Sequence, residues 1–392
     1  MTILSRLIPA LGRQRRRLSE QSEALAALRQ RVRDLLGRAK EQDRLLSLAT
    51  EGSTELREQA HHHRAATRRA ALLGRSDRPI VVGPWCGEVG FELLYWIPFV
   101  QWLVERARID GQRLVVVTRG GASVWYRGLT NRSVEIFDLI GADAFRDHAA
   151  TWKQHQISTF DRQLLAGAIA AAGVRRARLL HPQVMYRLLT AYWKGEAVLE
   201  PIGAFLRCGP LPPPPPHPVT KALPAEYVAA KFYFSQSFPD TPGNREFVLR
   251  RIAAAAEQMP VVLLSAGAQL DDHRDALIAS GGRVLTIATD VRDNLAAQSA
   301  VVAGARGFIG TYGGFSYLAP LYGVDSLSFF SDRDKLVPFH LDHAQATFST
   351  MKAGRFLACD VADAHLVTMT VHRGAQPVGP AQPVGTAQTA VH

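Results

Sequence analysis

Cysteine is scarce: Cys86, Cys208 and Cys359 are the only three in 392 residues. Their odd number and wide spacing exclude a disulfide framework and a C-x-x-C metal pattern, and a reducing compartment fits best. Also missing are a Walker A sequence, a Gly-x-Ser-x-Gly elbow and an H-E-x-x-H helix, which removes the P-loop, serine-hydrolase and zinc-protease readings. No zinc-finger or RNA-binding signature is present, and the basic N-terminal region lacks the interleaved aromatics on which single-stranded nucleic acid stacks. Long apolar runs are lacking too. The longest uncharged run ahead of the C-terminal tail, Gly307 to Val324, has 18 residues and only just reaches spanning length. It contains Gly307, Gly310, Gly313, Gly314, Pro320 and Gly323, a density that predicts a strand, a tight loop and a short helix.

What is present describes a protein that folds. Hydrophobic residues make up 47% and charged residues 21%, a globular composition, and the length allows two domains of ordinary size. The first residues, "MTILSRLIPALGRQRRRLSE", place their positive charges after a short apolar stretch, the wrong order for a secretory signal. Residues 1 to 78 carry 17 Lys plus Arg against 9 Asp plus Glu, so this segment holds +8 of the formal +11.

From Leu18 a seam runs through Gln21, Leu25, Leu28, Val32, Leu35, Ala39, Gln42, Leu46 and Ala49, with spacing alternating between three and four. This predicts a coiled coil over 18–73 and a homo-oligomer, the alternative being a long helix folded back on its own domain. The basic amphipathic segment 1–17 ahead of it suits an anionic membrane surface, with nucleic acid ranking behind as a partner. "HHH" at His61 to His63 reads as solvated, because consecutive positions point around a helix and cannot converge on one ion.

Past Arg78 the texture changes. "RPIVVGP" reads as a buried strand, "FVQWLVERAR" as a helix and "RLVVVTRG" as a strand; helical segments follow at "SVEIFDLIGADAF", "RQLLAGAIAAAG" and "QVMYRLLTAYW". Residues 79–208 thus form one α/β domain. Five consecutive prolines in "GPLPPPPPHP", 209–218, make a stiff connector. Beyond it "EYVAAKFYF", "REFVLRRIAAAAEQ", "MPVVLLSAG", "DHRDALIAS", "GRVLTI", "NLAAQSAVVAGA", "RGFIGTY", "SYLAPLYG" and "DSLSFFS" continue the alternation. They predict a second doubly wound parallel-sheet domain over 219–372, with ligands outside the carboxyl ends of its strands. The tail 373–392 repeats A-Q-P-V-G and reads as disordered.

Two loops stand out as chemistry. "GPWCGEVGFELLYWIPF", 83–99, has three glycines and two acids where the opening strand meets a helix, and "GTYGG" stands between a strand and "FSYLAPLYG". In the second loop backbone N–H groups would point to the cleft, and glycines would let a diphosphate approach. The alternative is a tight turn without a ligand. Lys231, ending "YVAAK", and Arg245, after "SFPDTPGN", are cations available to such a ligand, or ordinary surface charges. Asp271 to His273, "DDH", is as good a helix cap as a metal pair, and no metal is assigned.

This order of a Gly/acid loop, a linker, the strand "VVLLSAG" and then "NLAAQSAVVAGARGFIGTYGGFSYLAPLYGV" resembles the GT-B glycosyltransferases, nearest those related to bacterial heptosyltransferases. The resemblance covers roughly 79 to 345. It implies two Rossmann-like domains, here preceded by a helical coiled coil, with the second domain holding the nucleotide diphosphate of a sugar donor. Gly310, Gly314 and Ser316 match the family's donor turn, so Thr311, Tyr312, Gly313 and Phe315 are implied as donor contacts with Lys231 and Arg245. There are departures: the family's acid and His in the turn are Tyr312 and Tyr317 here, and its Gly-Asp, six before a Pro, corresponds either to Gly87-Glu88 or to Glu92, six before Pro98.

Inverting transfer needs a carboxylate to take the acceptor's proton, which makes Glu88 or Glu92 the candidate base, Glu88 being favoured because it lies in the loop proper. Either acid is alternatively a helix N-terminal charge on the macrodipole. The resemblance implies a cytoplasmic enzyme, peripheral on the membrane, that moves a sugar from a nucleotide donor to a glycan or lipid-linked acceptor without metal or cofactor. A nucleotide-sugar epimerase of the same fold, or a coiled-coil scaffold with a non-catalytic binding head, are the alternatives.

Overall fold

The computed structural model describes residues 54–149, 154–194, 203–264, 274–276, 278–351 and 353–367, together with 30, 31, 33, 35, 37 and 40. The chain divides into a small unit, Met1–Ala65, and a large one, Ala66–His392. In the small unit the described residues are helical, and Leu35 of the seam is exposed. Most of the predicted coiled coil, the basic segment 1–17 and the tail lie outside the described residues. Helix α1, Thr54–Gly74, ends in the large unit, where Ala66, Ala70 and Leu73 are buried in the main core. The last part of the predicted coiled-coil span thus contributes side chains to the core of the large unit. Spacings of four and three put these small and apolar residues on one face that packs into the head.

The large unit contains two parallel sheets. The first is built from β1 (Ile80–Val82), β2 (Leu114–Thr118), β3 (Ser133–Glu135) and β4 (Arg178–Leu180) in the order β3-β2-β1-β4. Every residue of β1 and β2 is buried, which is why these strands read as unbroken apolar runs. "SVEIF" is a strand and a short 3-10 turn where the sequence suggested a helix, and the helix α3 follows only at Ala142–Ala149. Val134 and Ile136 are buried with Ser133 exposed, the period of two that a short edge strand needs. Helix α4, Thr159–Ala171, begins at a capping box between Ser158 and Asp161, and α5, Gln183–Trp193, follows β4.

The second sheet contains β5 (Val228–Lys231), β7 (Val261–Leu263), β9 (Val284–Thr286), β10 (Gly307–Thr311), β11 (Ser326–Phe330) and β12 (Phe356–Asp360), in the order β12-β11-β10-β5-β7-β9. Read from β9, this is the dinucleotide-fold order 3-2-1-4-5-6, whose switch point falls between β5 and β10. A separate antiparallel pair joins β6, Tyr233–Phe234, to β8, Arg274–Asp275. The short strand β8 stands inside "DHRDALIAS", and Asp271 to His273 lie outside the described residues. Helices α6 (Pro242–Gln258), α7 (Asn294–Gly304), α8 (Gly314–Leu321) and α9 (Pro338–Met351) complete the unit. Thr241 caps α6 by accepting from Asn244 N–H, with Pro242 at the first position.

The uncharged run 307–324 is strand, turn and helix, as its glycines predict. Among the described residues no helix is long and apolar enough to cross a membrane. Residues 209–217, the polyproline stretch, form neither helix nor strand and lie along the fold: Leu211 N–H donates to Leu321 O, and Arg127 to Pro213 O.

One apolar core runs through both halves, joining Trp85, Trp96 and Phe99 from the first to Phe308, Tyr317 and Leu318 from the second. A proline contributes to this join. The helical run that starts at Val89 passes through a π turn at Glu92–Trp96 into α2, Ile97–Ala107. Pro98 has no N–H to give to Leu94 O, four residues back. That carbonyl accepts instead from His343 Nε2 of α9 at 3.3 Å, while the His343 ring stacks on Tyr95.

Candidate functional site

The first sheet reverses its order between β1 and β4, so the loop after β1 stands at its switch point. That loop is tied down atom by atom. Gly83 has φ +111, and a side chain there would meet Val117 O at 2.7 Å. Gln154 accepts from Cys86 N–H and donates to Pro84 O, and Trp85 stacks between Trp96 and Tyr186. Burial pushes the Cys86 thiol far up, which leaves it a protonated packing residue.

The two predicted acids have different surroundings. Glu92 lies in the π turn with 0% exposure; its Oε2 accepts from Arg119 Nη1 at 2.8 Å and its Oε1 from the Tyr126 hydroxyl at 2.7 Å. Burial raises its carboxyl above the ordinary range against the pull of Arg119 and Tyr126. Glu88 is half-buried, immediately ahead of the helical run, with extended backbone and no side-chain cap bond. Glu88 thus stands where a helix N-terminal charge would, without making a side-chain cap bond. The Tyr186 hydroxyl is held up by burial and then by the Glu88 charge, so Glu88 stands beside a buried, protonated phenol.

Lys231 is the last residue of β5, at the switch point of the second sheet. Its Nζ donates to Leu264 O at 2.7 Å, pairs with Asp275 Oδ1 at 3.1 Å, and lies 5.1 Å from the centre of the Phe315 ring. Arg245 is 62% exposed and paired with Asp240, which also lies 3.4 Å from Arg274, the residue before the Asp275 that pairs with Lys231.

The turn shows what lies where its glycines lack side chains. A side chain at Gly310 would strike Lys231 O at 2.1 Å; one at Gly313, where φ is +140, would strike the Tyr233 hydroxyl at 2.1 Å. At Gly314 it would meet Gly90 N and Val89 Cβ, both at 2.9 Å. The room these glycines leave is used by the protein's own backbone and side chains. Thr311 Oγ1 accepts from Tyr233 N–H and donates to Tyr233 O. Ser316 Oγ accepts from Gly313 N–H at 3.1 Å and donates to Gly313 O at 2.6 Å, closing the first turn of α8. Tyr312 donates its N–H to Phe329 O, and burial pushes its hydroxyl up to about 12. Tyr317 is buried against Tyr312 and Phe348.

The contact at Gly314 brings the two predicted loops together, because Val89 and Gly90 directly follow Glu88. Lys231, Phe315, Gly310 and Thr311 gather at the carboxyl ends of β5 and β10. Among the described residues no three His, Cys, Asp or Glu side chains are placed to share a metal ion.

Sequence reasoning passed over Arg119, Tyr126 and Asp275. The signal for Arg119 was a charged residue directly after the buried strand "LVVVT" and before two glycines. Tyr126 and Asp275 have no comparable mark.

No family model matches the sequence, and no curated protein matches it. Solved structures similar to this chain include TibC, an iron-containing dodecameric glycosyltransferase from enterotoxigenic E. coli H10407, at 13% identity and a TM-score of 0.33, covering 65% of this chain and 58% of that one. They also include the E. coli heptosyltransferase WaaC with ADP, at 14% identity, TM-score 0.31, 64% of this chain and 87% of that one. A third, from Listeria monocytogenes and assigned as a UDP-N-acetylglucosamine 2-epimerase, has 13% identity, TM-score 0.27, 70% of this chain and 89% of that one. This chain spans less than three fifths of TibC.

Proposed function

We propose that this chain transfers a glycosyl group from a nucleotide-sugar donor to a hydroxyl of a glycan or lipid-linked acceptor. The observation that carries the reading is the contact of Gly90 with Gly314. It joins the carboxylate-bearing loop at one switch point to the helix that starts beside the other. Ligands of doubly wound sheets bind at such points.

In this reading Glu88 is the base and Glu92 is not, since Glu92 is fully buried with a donor on each oxygen. Glu88 takes the proton of the acceptor hydroxyl, the acceptor oxygen bonds to the anomeric carbon, and the bond from that carbon to the diphosphate oxygen breaks. The nucleoside diphosphate leaves with the electron pair. Its growing charge is met by Lys231 and by the amino end of α8, Gly314, Phe315 and Ser316. Arg245, paired at the surface, is left outside the donor contacts. Self-association through 18–73 and contact of 1–17 with an anionic membrane belong to the same proposal, with ultracentrifugation and vesicle sedimentation as their tests.

Thermal shift of the full chain against nucleoside diphosphates and nucleotide sugars tests the donor site; a ligand at 100 times its Kd adds about 2.7 kcal/mol. Selective stabilisation by one nucleotide, with diphosphate released only when an acceptor glycan is added, supports transfer. Release or isomerisation without acceptor points to the epimerase alternative, and binding without turnover to the scaffold.

A further inference from the structure

We infer that Arg119 is a positioning residue: it holds the Gly87 carbonyl and thereby fixes the backbone that carries Glu88, while Glu92, itself held by Tyr126, holds Arg119. The catalytic part of this inference rests on Glu88 being the base; the mechanical part does not. Arg119 directly follows β2 and is 5% exposed. Its Nη2 donates to Gly87 O at 2.6 Å, and its Nη1 to Glu92 Oε2 at 2.8 Å. A guanidinium suits this task because its donors lie in one rigid plane, so fixing one nitrogen fixes the other.

The anchor for that plane is itself anchored. Glu92 has its second oxygen on Tyr126, and the residues after Arg119 are braced by Glu135, whose two oxygens accept from Gly120 N–H and Gly121 N–H at 2.9 Å each. Three chain segments, the π turn, the end of β2 and the short helix at Ala122–Tyr126, therefore meet on the Glu92 carboxylate, whose cation Arg119 reaches the loop. A purely structural ion pair needs only Glu92. The extra bond goes to the carbonyl directly before Glu88, and a base must stand within hydrogen-bond reach of its proton, where small displacements are costly.

The test uses the full chain with Arg119→Lys, and with Glu92→Gln and Tyr126→Phe as milder variants should Arg119→Lys not fold. Two quantities are read: amide hydrogen exchange over residues 83–91, and nucleoside diphosphate release from UDP-glucose, ADP-glucose and GDP-mannose as probes, with acceptor glycans present. Arg119→Lys is expected to speed exchange in that segment alone and to lower kcat by on the order of 10-fold to 100-fold, with donor KM unchanged. The milder variants fall between it and the wild type. Exchange that stays at the wild-type rate in folded variants overturns the positioning role, as does a loss spread over the whole molecule. Faster local exchange in a protein that releases diphosphate from no probe upholds the mechanical role and removes the sugar-transfer reading instead.

Discussion

The loop after β1 and the turn after β10 meet at Gly90 and Gly314 but are built in opposite ways. The first is held by charge: a buried carboxylate, a buried guanidinium and a phenol, with the guanidinium reaching the loop backbone. The second is held by the absence of side chains, with Lys231 O, the Tyr233 hydroxyl and Gly90 N standing where Cβ atoms would be. A rigid site edge can thus be made by satisfying polar groups or by removing atoms, and the two edges should fail differently when changed.

The largest expected effect is on the charged side. Glu92→Ala leaves the Arg119 guanidinium buried beside a cavity and is expected to lower stability by about 3 to 5 kcal/mol, read by denaturant unfolding. Glu92→Gln, which keeps an acceptor for Arg119 and removes a carboxylate that burial already disfavours, should cost clearly less. Equal losses from the two would mean that the charge of Glu92 alone, and not its packing or its remaining acceptor oxygen, accounts for what it contributes to this loop.

Next comes the join between the halves. His343 is buried, and its pKa is lowered to about 4 by burial, partly offset by its bond to Leu94 O. A depressed folded pKa means the unfolded chain takes the proton first. The contribution is whole above pH 6.5 and is lost as pH falls through about 4, by about 3 kcal/mol in all. His343→Gln should flatten that part of a stability curve measured from pH 7 to 4. An unchanged acid limb would show that His343 is not the group responsible.

Gly314→Ala should cost about 1 to 3 kcal/mol, because Gly90 N and Val89 must shift to admit a methyl group. Its melting temperature, set beside that of Gly323→Ala, separates close approach from backbone conformation: Gly323 has φ +79 but open space around its Cβ. The smallest effect is expected from Arg245→Ala, because Arg245 is 62% exposed and its partner Asp240 keeps Arg274 at 3.4 Å. Melting temperature and nucleotide affinity should both match the wild type, and a loss of affinity would restore Arg245 to the donor site.

Much of this was legible in the sequence, for physical reasons. Buried parallel strands must be apolar on both faces, so "IVV", "LVVVT" and "GFIGT" announce themselves. Glycines that make room are visible too, but the sequence does not say for whom. Gly310, Gly313 and Gly314 read as space for a phosphate, whereas the occupants are Lys231 O, Tyr233 and Gly90, all distant in sequence. Glu88 and Glu92 are indistinguishable by composition and separate only through Arg119, 27 residues beyond Glu92. The edge strand at Val134 was hidden because a three-residue strand offers too little alternation to outweigh the helical texture around it.

The central claim is that Glu88 acts as the base for sugar transfer at the meeting point of the two sheets. The most direct measurement is turnover of Glu88→Gln in the full chain, using the nucleotide sugar that selectively raises the melting temperature of the wild type. The account predicts unchanged binding of that donor and a fall in kcat on the order of 100-fold or more. Wild-type turnover by Glu88→Gln, or no nucleotide sugar that binds at all, would contradict it.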